Sequence, residues 1–398
     1  MITVAFAALG AVVASFALYH LLLAVASFGW HALPPRRPTS RLTVLVPAHD
    51  EEALIRCCIE SLVDQTYPRA LYEIVVIADN CTDRTAELAR DAGAAVLVRD
   101  DPEAPGKGQA LRWAMDRLLA RPNRADAVVI VDADSRADRE FLERLARPFE
   151  DGAQAVQGES LLVDDGTPQA ALRAAAFLLI NRVRPAGRAV LGLPSHLAGN
   201  GMLFASALLA AHPWSAFSST EDLEYGISLR LAGVPVAFAR GAVLRSPAAP
   251  TAAAAAQQQL RWEGGKAHVA RRYVPRLLGA AVRTRKASLL EAAFELASPP
   301  LGLLAAAAVA GTGAWVALAA TDVVRAWSLA PWVASDLAIP LYVLVGLRAA
   351  DAPAAAYRAL AHAPILVARK LGGAHRLLTF RADTWVRTER APNGGDAS

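Results

Sequence analysis

No charged residue occurs between Ile2 and about Trp30, and a stretch of that length satisfies the ~20 apolar residues needed to cross a hydrocarbon core. A cleaved signal peptide would open on a basic region and carry a shorter apolar run. Here Arg36, Arg37 and Arg41 follow the stretch instead, so residues 1–30 are expected to be an anchor that starts outside and delivers the following chain to the cytoplasm. About Leu296–Ala320 and about Trp327–Leu347 are two further candidate spans, joined by a loop whose charges are Asp322 and Arg325. Arg271, Arg272, Arg276, Arg283, Arg285 and Lys286 precede this pair, and Arg348, Arg358, Arg369, Lys370 and Arg376 follow it. Basic flanks around a poorly charged loop again place both flanks inside, and the positive mean hydropathy fits such a chain. Asp336 in the last span is costly there unless paired or near an interface. His20 in the first span reads as a side chain facing a neighbouring helix.

The region between the first and second apolar stretches alternates. Apolar runs at Leu42–Ala48, Glu73–Asp79, Ala95–Arg99 and Ala127–Asp132 read as strands. Helical spacing occupies Glu51–Gln65, Thr82–Ala92, Gly108–Ala120 and Arg139–Arg147. That order predicts a parallel sheet covered on both faces, with ligands at the carboxyl ends of the strands, where Asp79 and Asp132 fall. Pro34–Pro38 reads as an extended linker. Gln257–Arg276 and Ala354–Leu371 mix apolar and basic residues, the pattern of helices lying at a membrane surface or packed on the domain. Cys57, Cys58 and Cys81 have no paired metal spacing and do not make a secreted disulfide framework.

Three groups of residues carry chemistry. Asp132-Ala133-Asp134 ends an apolar strand. Alternate side chains of an extended segment point the same way, so its two carboxylates can converge on Mg²⁺ or Mn²⁺. Ser219-Thr220-Glu221-Asp222 precedes the helical run Leu223–Leu231; it reads as a capping box, and Asp222 in addition as a general base. Gln258, Arg261 and Trp262 lie at i, i+3 and i+4 and share one helix face, offering a guanidinium fork for a diphosphate and a flat platform for a sugar; an interfacial helix with a snorkelling Arg has the same pattern. Lys107 in Gly106-Lys107-Gly108 opens a helix, but Asp101 and Gly108 stand where a phosphate-binding Walker loop needs Gly and Ser or Thr. Asp79 can accept a hydrogen bond from a base N–H, whereas Thr82 and Asp83 are expected to cap the next helix.

Taken in order, Val44–Glu52, Ala78–Asp83, Gly106–Gly108, Asp132–Asp134, Thr220–Asp222 and Gln258–Trp262 resemble the motifs of the membrane-bound inverting glycosyltransferases of family 2, relatives of the cellulose, chitin and hyaluronan synthases. The resemblance implies a GT-A fold, α/β and Rossmann-like, on a cytosolic domain with one N-terminal and two C-terminal transmembrane helices plus amphipathic interface helices. It implies a nucleotide-sugar donor, usually carrying UDP, a saccharide or lipid acceptor, a divalent metal and an inner-membrane location, with no nucleic acid. It places Asp79 at the base of the donor, counts Glu51 among the substrate-binding residues, and puts Lys107 near the diphosphate or Asp132, and Asp132 and Asp134 at ribose, diphosphate and metal. Asp222, with Glu221, becomes the catalytic pair. Arg261 meets the diphosphate and Trp262 the acceptor end, Gln258 counts among the substrate-binding residues, and Asn200 in Gly199-Asn200-Gly201 lies beside the acceptor site. The corresponding division is an anchor at 1–30, a linker at 31–41, the transferase domain at 42–256, interface helices at 257–295, two spans at 296–348, an interface helix and tail at 349–390 and a disordered end at 391–398.

Two departures bear on function. Ala78 stands where many members have a second Asp, so base recognition rests on Asp79. Three spans are few for an enzyme that threads a polymer through its own channel. That speaks against polymer export. Transfer of one sugar to a polyprenyl phosphate or glycolipid is the alternative, against which the Gln258–Trp262 helix argues, and an inactive membrane scaffold is a further one.

Overall fold

The computed structural model describes residues 1–364 except Pro35, Asp165 and Pro250. Two compact units emerge. One comprises His31–Val163 and Pro194–Ala293; the other comprises Met1–Trp30, Asp164–Leu193 and the described residues from Phe294 onward.

The first unit is built on one sheet of β1 (Leu42–Ala48), β2 (Tyr72–Asp79), β3 (Ala95–Arg99), β4 (Ala127–Ile130), β5 (Arg136–Ala137), β6 (Ala155–Leu162), β7 (Met202–Ala205) and β8 (Val236–Ser246). Their order across the sheet is β3-β2-β1-β4-β7-β6-β8-β5. β1 runs parallel to β2 and β4, and β2 parallel to β3, as alternation with helices requires. Both faces are covered. Val44 and Val46 pack with Ile59, Leu62, Phe141 and Leu145, while Leu45 between them faces Leu111, Met115, Phe204 and Trp214 on the other side.

The expectation of a wholly parallel sheet is corrected beyond β4. β7 is antiparallel to both β4 and β6, so the sheet is mixed. The reversal has a local use: because Met202 pairs with Ile130, the residues entering β7 lie against the residues leaving β4.

The helices also depart from the sequence-based boundaries. Residues 164–193, expected inside one domain at 42–256, belong to the unit containing the apolar helices. Their apolar face explains this, since Ala175, Leu179 and Val183 are buried with Ala24, Tyr342 and Leu347. Within them the ladder widens to a π turn at Leu179–Val183, just before Pro185, which has no N–H to give. The expected boundary at residue 256 falls inside one continuous helix, Ala252–Thr284. The rest of the segment Ala354–Leu371, and the tail, lie outside the described residues beyond 364.

Among the described residues, three helices are long and apolar enough to cross a membrane: Ile2–Gly29, Leu301–Ala319 and Ala326–Ala349. The middle one starts later than Leu296 because Pro299 and Pro300 separate it from the helix Ala287–Ala297. Several polar groups within this unit are partnered. Asp336 accepts a hydrogen bond from the Thr312 hydroxyl at 2.6 Å, and His20 meets the Ser298 hydroxyl at 3.3 Å. Arg188 is fully buried; it pairs with Glu295 and donates to the Tyr19 hydroxyl at 3.0 Å.

Backbones approach closely here, as small residues permit. A Cβ on Gly187 would stand 2.0 Å from the Leu23 carbonyl oxygen, a backbone atom with no freedom to retreat. Gly187→Ala is therefore expected to destabilise this unit by about 1–3 kcal/mol, read as a lower Tm of the chain purified in detergent. An unchanged Tm would mean that the two backbones do not meet.

Candidate active site

The site assembles where strands end. β4 finishes at Ile130, two residues before the expected limit. Val131 still donates to the Leu45 carbonyl at 3.1 Å, so the chain stays extended past the sheet. Ala133 is buried while Asp132 and Asp134 are half-exposed, which is the alternation that turns both carboxylates outward from the core.

Lys107 joins three other segments to this one. Its ammonium donates to Asp132 Oδ1 at 2.6 Å and to the Gly199 carbonyl at 2.6 Å, and lies 3.7 Å from Glu221 Oε1. Lys107 opens the helix Lys107–Leu119, capped by Gly106 at φ 112°, so the same glycine that starts the helix turns the lysine inward. Burial opposes the charge, but Asp132, Glu221 and Asp222 outweigh it and hold the ammonium above the ordinary lysine range.

The Gly199-Asn200-Gly201 loop reaches this point because β7 runs antiparallel to β4. Asn200 is buried. Its side-chain oxygen accepts from the Asp132 backbone N–H at 3.0 Å, and its amide donates to Ser135 Oγ at 2.8 Å. Ser135 donates to Asp134 Oδ1 at 3.2 Å. Buried Gln157 in β6 grips the loop from behind, donating to the Asn200 carbonyl at 2.7 Å and accepting from the Ala198 N–H at 2.9 Å. Gln157 and Ser135 were not singled out from the sequence. Gln157 shares its strand with two further polar residues, Glu159 and Ser160, so the local pattern does not set it apart.

Asp222 lies in the first turn of the helix Glu221–Leu231. A Cβ on Gly199 would sit 3.1 Å from Asp222 Oδ2, so this carboxylate closes on the loop that Lys107 holds. Burial, and then the neighbouring charge of Glu221, push the Asp222 carboxyl up to about 7. The expected capping box does not form: the helix has no side-chain cap, and among the described residues the Ser219 and Thr220 hydroxyls have no partner. The reason is packing. Gly265 of the helix Ala252–Thr284 presses on Thr220, where an added Cβ would stand 2.4 Å from Thr220 Cγ2.

That contact also locates Gln258, Arg261 and Trp262. They precede Gly265 by seven, four and three positions on the same helix and so share the face that meets Thr220. All three are half-buried.

Asp79 and Glu51 sit further along the same edge. β1 separates β2 from β4 and Ile130 is level with Val75 across it, so Asp79 stands two strand spacings, about 10 Å, to the side of β4 and four residues beyond its end. Asp79 is buried and paired with Arg99 at 2.5 Å; burial pushes its carboxyl up, and Arg99 opposes the shift. Arg99, not anticipated from the sequence, is the register partner of Asp79 across β2 and β3. Glu51 is buried, and its N–H donates to Thr85 Oγ1 at 2.7 Å. The capping roles expected at residues 82 and 83 divide: Asp83 Oδ1 accepts from the Thr85 N–H at 2.9 Å, whereas the Thr82 N–H is taken by Asp50 at 2.7 Å.

For a divalent cation the donor set fits. Asp132 and Asp134 supply hard carboxylate oxygens, and Asp132 is bound through Oδ1 alone among the described residues, leaving Oδ2 for a cation that prefers oxygen and takes its other ligands from phosphate and water. Cys58, whose thiol donates to the Asp132 carbonyl at 3.6 Å, is pushed above the usual thiol range by burial and then by Asp134 and Asp132.

Residues 38–265 match the family model for glycosyltransferase-like family 2. The chain is 27% identical over 57% of its length to the beta-monoglucosyldiacylglycerol synthase of Synechocystis, covering 48% of that protein. It is 35% identical over 28% of its length to a low-salt glycan biosynthesis hexosyltransferase of Haloferax volcanii, covering 25% of it. The chain thus spans about half or less of the curated relatives it matches. A mannosyltransferase of Pyrobaculum calidifontis, solved in complex with GDP-Man and Mn²⁺, superposes with a TM-score of 0.52 over 85% of this chain and 98% of that one, at 19% identity; the fold is GT-A-like. With the family model spanning more than half of its length, the chain belongs to glycosyltransferase family 2.

Proposed function

We propose that the chain is a membrane-associated inverting hexosyltransferase. It moves a sugar from a nucleotide diphosphate, UDP by our reading, to a hydroxyl of a saccharide or lipid-linked acceptor at the cytoplasmic face. The observation that carries the reading is the meeting of Asp222, Glu221, Lys107 and Asp132, from three distant parts of the sequence, at one end of the sheet. The name of the Synechocystis relative favours a lipid acceptor, and with it transfer of a single sugar. The basic residues flanking the apolar helices favour the cytoplasmic side.

In this mechanism Asp222 takes the proton of the acceptor hydroxyl. Its raised affinity for protons makes it a competent base near neutrality, since a carboxylate of ordinary acidity holds the proton too weakly. The acceptor oxygen then attacks the anomeric carbon opposite the departing nucleotide. One displacement inverts an α-linked donor to a β-product. Asp132 and Asp134 would hold a divalent cation, which when bound would supply positive charge to the leaving diphosphate. Arg261 adds a fixed guanidinium to the same oxygens, Asp79 and Glu51 hold the donor's nucleoside end, and Trp262 supports the acceptor sugar. Lys107 keeps Asp132 and the Gly199 loop together, so the base and the metal-binding carboxylates stay in register.

Asp222→Asn keeps the volume and removes the base. Transfer is expected to fall by about 10²–10⁴-fold with donor affinity within a few-fold of wild type, measured as UDP release and product mass against a panel of UDP-sugars. Near-wild-type turnover would refute the assignment. Proton magnetic resonance of the product should show a β-linkage; an α-linkage contradicts single displacement.

The pH dependence follows from the direction of the Asp222 shift. A carboxyl raised to about 7 is protonated, and idle as a base, below that value. The kcat/KM is therefore expected to climb roughly tenfold per pH unit up to about 7 and flatten above it. A profile flat down to pH 5 would place the base elsewhere.

Asp134→Ala is expected to abolish the gain in UDP affinity that Mn²⁺ confers, by calorimetry with and without the ion, while binding without the ion changes little. Retention of the Mn²⁺-dependent gain would remove Asp134 from the metal site.

A further inference from the structure

The first unit carries a cleft of about 970 Å³ that includes none of the residues assigned to transfer. It lies between the last turns of the helix Ala252–Thr284, the turn into Ala287–Ala297, and the segment that leads into β8. Its volume is in the range of sites that take small molecules.

The lining has an unusual balance. Leu278 and Val282 from the long helix supply an apolar wall and remain 43% and 77% exposed, so water wets a surface that would gain by being covered. Arg230, Arg276, Arg283 and Lys286 also line the cleft, and no acidic residue does. Nearby Glu291 pairs with Arg230 at 2.9 Å. Among the described residues no ion pair involves Arg276, Arg283 or Lys286; Arg276 lies 5.2 Å from the Tyr273 ring centroid. Three cations therefore face a half-apolar cavity with no carboxylate assigned to them.

The turn that presents them is fixed. Arg285 adopts a left-handed conformation, φ 55°, at the end of the long helix, a position that glycine more often fills. Arg230 donates to the Ser288 carbonyl at 2.8 Å, which ties the next helix to the end of Glu221–Leu231. The cations line the rim of this cleft.

We propose that this cleft binds an acidic phospholipid, with the phosphate among Arg276, Arg283 and Lys286 and the hydrocarbon along Leu278 and Val282. Charge complementarity selects an anion, and the exposed apolar wall selects an amphiphile over a free anion. The sequence position agrees, because the cleft's last helix is followed directly by the candidate span Leu301–Ala319. The site is separate from sugar transfer, and its test does not require turnover.

The test is native mass spectrometry of the full chain in a non-ionic detergent, titrated with phosphatidylglycerol, phosphatidylcholine or inorganic phosphate. Phosphatidylglycerol should bind at least tenfold more tightly than phosphatidylcholine, with inorganic phosphate not retained at equal concentration. The double variant Arg283→Gln/Lys286→Gln should lose most of that preference. The charge-matched double variant Arg117→Gln/Arg124→Gln, outside the cleft, should keep it. Both pairs are exposed or half-exposed, and UDP binding provides a check of folding independent of the cleft. Equal binding of the two lipids, retention of phosphate as strongly as lipid, or the same loss in both double variants would each overturn the proposal.

Discussion

Three carboxylates, Asp132, Glu221 and Asp222, cannot be gathered in a partly dehydrated site without a cation among them, and Lys107 is that cation. Like charges at short range would otherwise drive protons onto the acids or push the segments apart. The ammonium binds Asp132 and the Gly199 carbonyl directly and lies beside Glu221. It couples the ends of β4, the loop into β7, the helix it opens and the helix bearing Asp222. Each of those segments reaches the point for its own backbone reason: strand termination, an antiparallel reversal, a glycine-capped helix start, and a helix whose first turn is held by packing.

The charge balance at this node differs from that at Asp79. There one buried carboxylate meets one buried guanidinium in neighbouring register, a closed pair that favours a fixed geometry. Around Lys107 there is one cation for several acids, so the site retains capacity for further positive charge. Asp222 shows the consequence in its raised affinity for protons, and Asp132 in an oxygen left open. A deficit of positive charge is what a site needs if it is to receive a cation and a proton in the course of its work.

Much of this was legible in the chain. Strand and helix alternation located β1 through β4 to within a few residues, because apolar runs and glycine or proline punctuation are local properties. The acids at strand ends followed from the same reading. The mixed half of the sheet was not legible: β6, β7 and β8 pair over long separations, and nothing local distinguishes parallel from antiparallel pairing. The capping box at Ser219–Asp222 looked sound by sequence, yet the contact of Gly265 with Thr220 displaced it, a tertiary override of a local preference.

The sequence by itself determined where long apolar helices occur and which acids stand at the exits of buried strands, since length, periodicity and charge act along the chain. Only the tertiary structure decided that residues 164–193 side with the apolar helices and that Asn200, Lys107 and Asp222 share one point. It also decided that Arg276, Arg283 and Lys286 ring a cleft. Those arrangements depend on strand direction and on helix faces meeting across hundreds of residues, and proximity of that kind has no signature in local order.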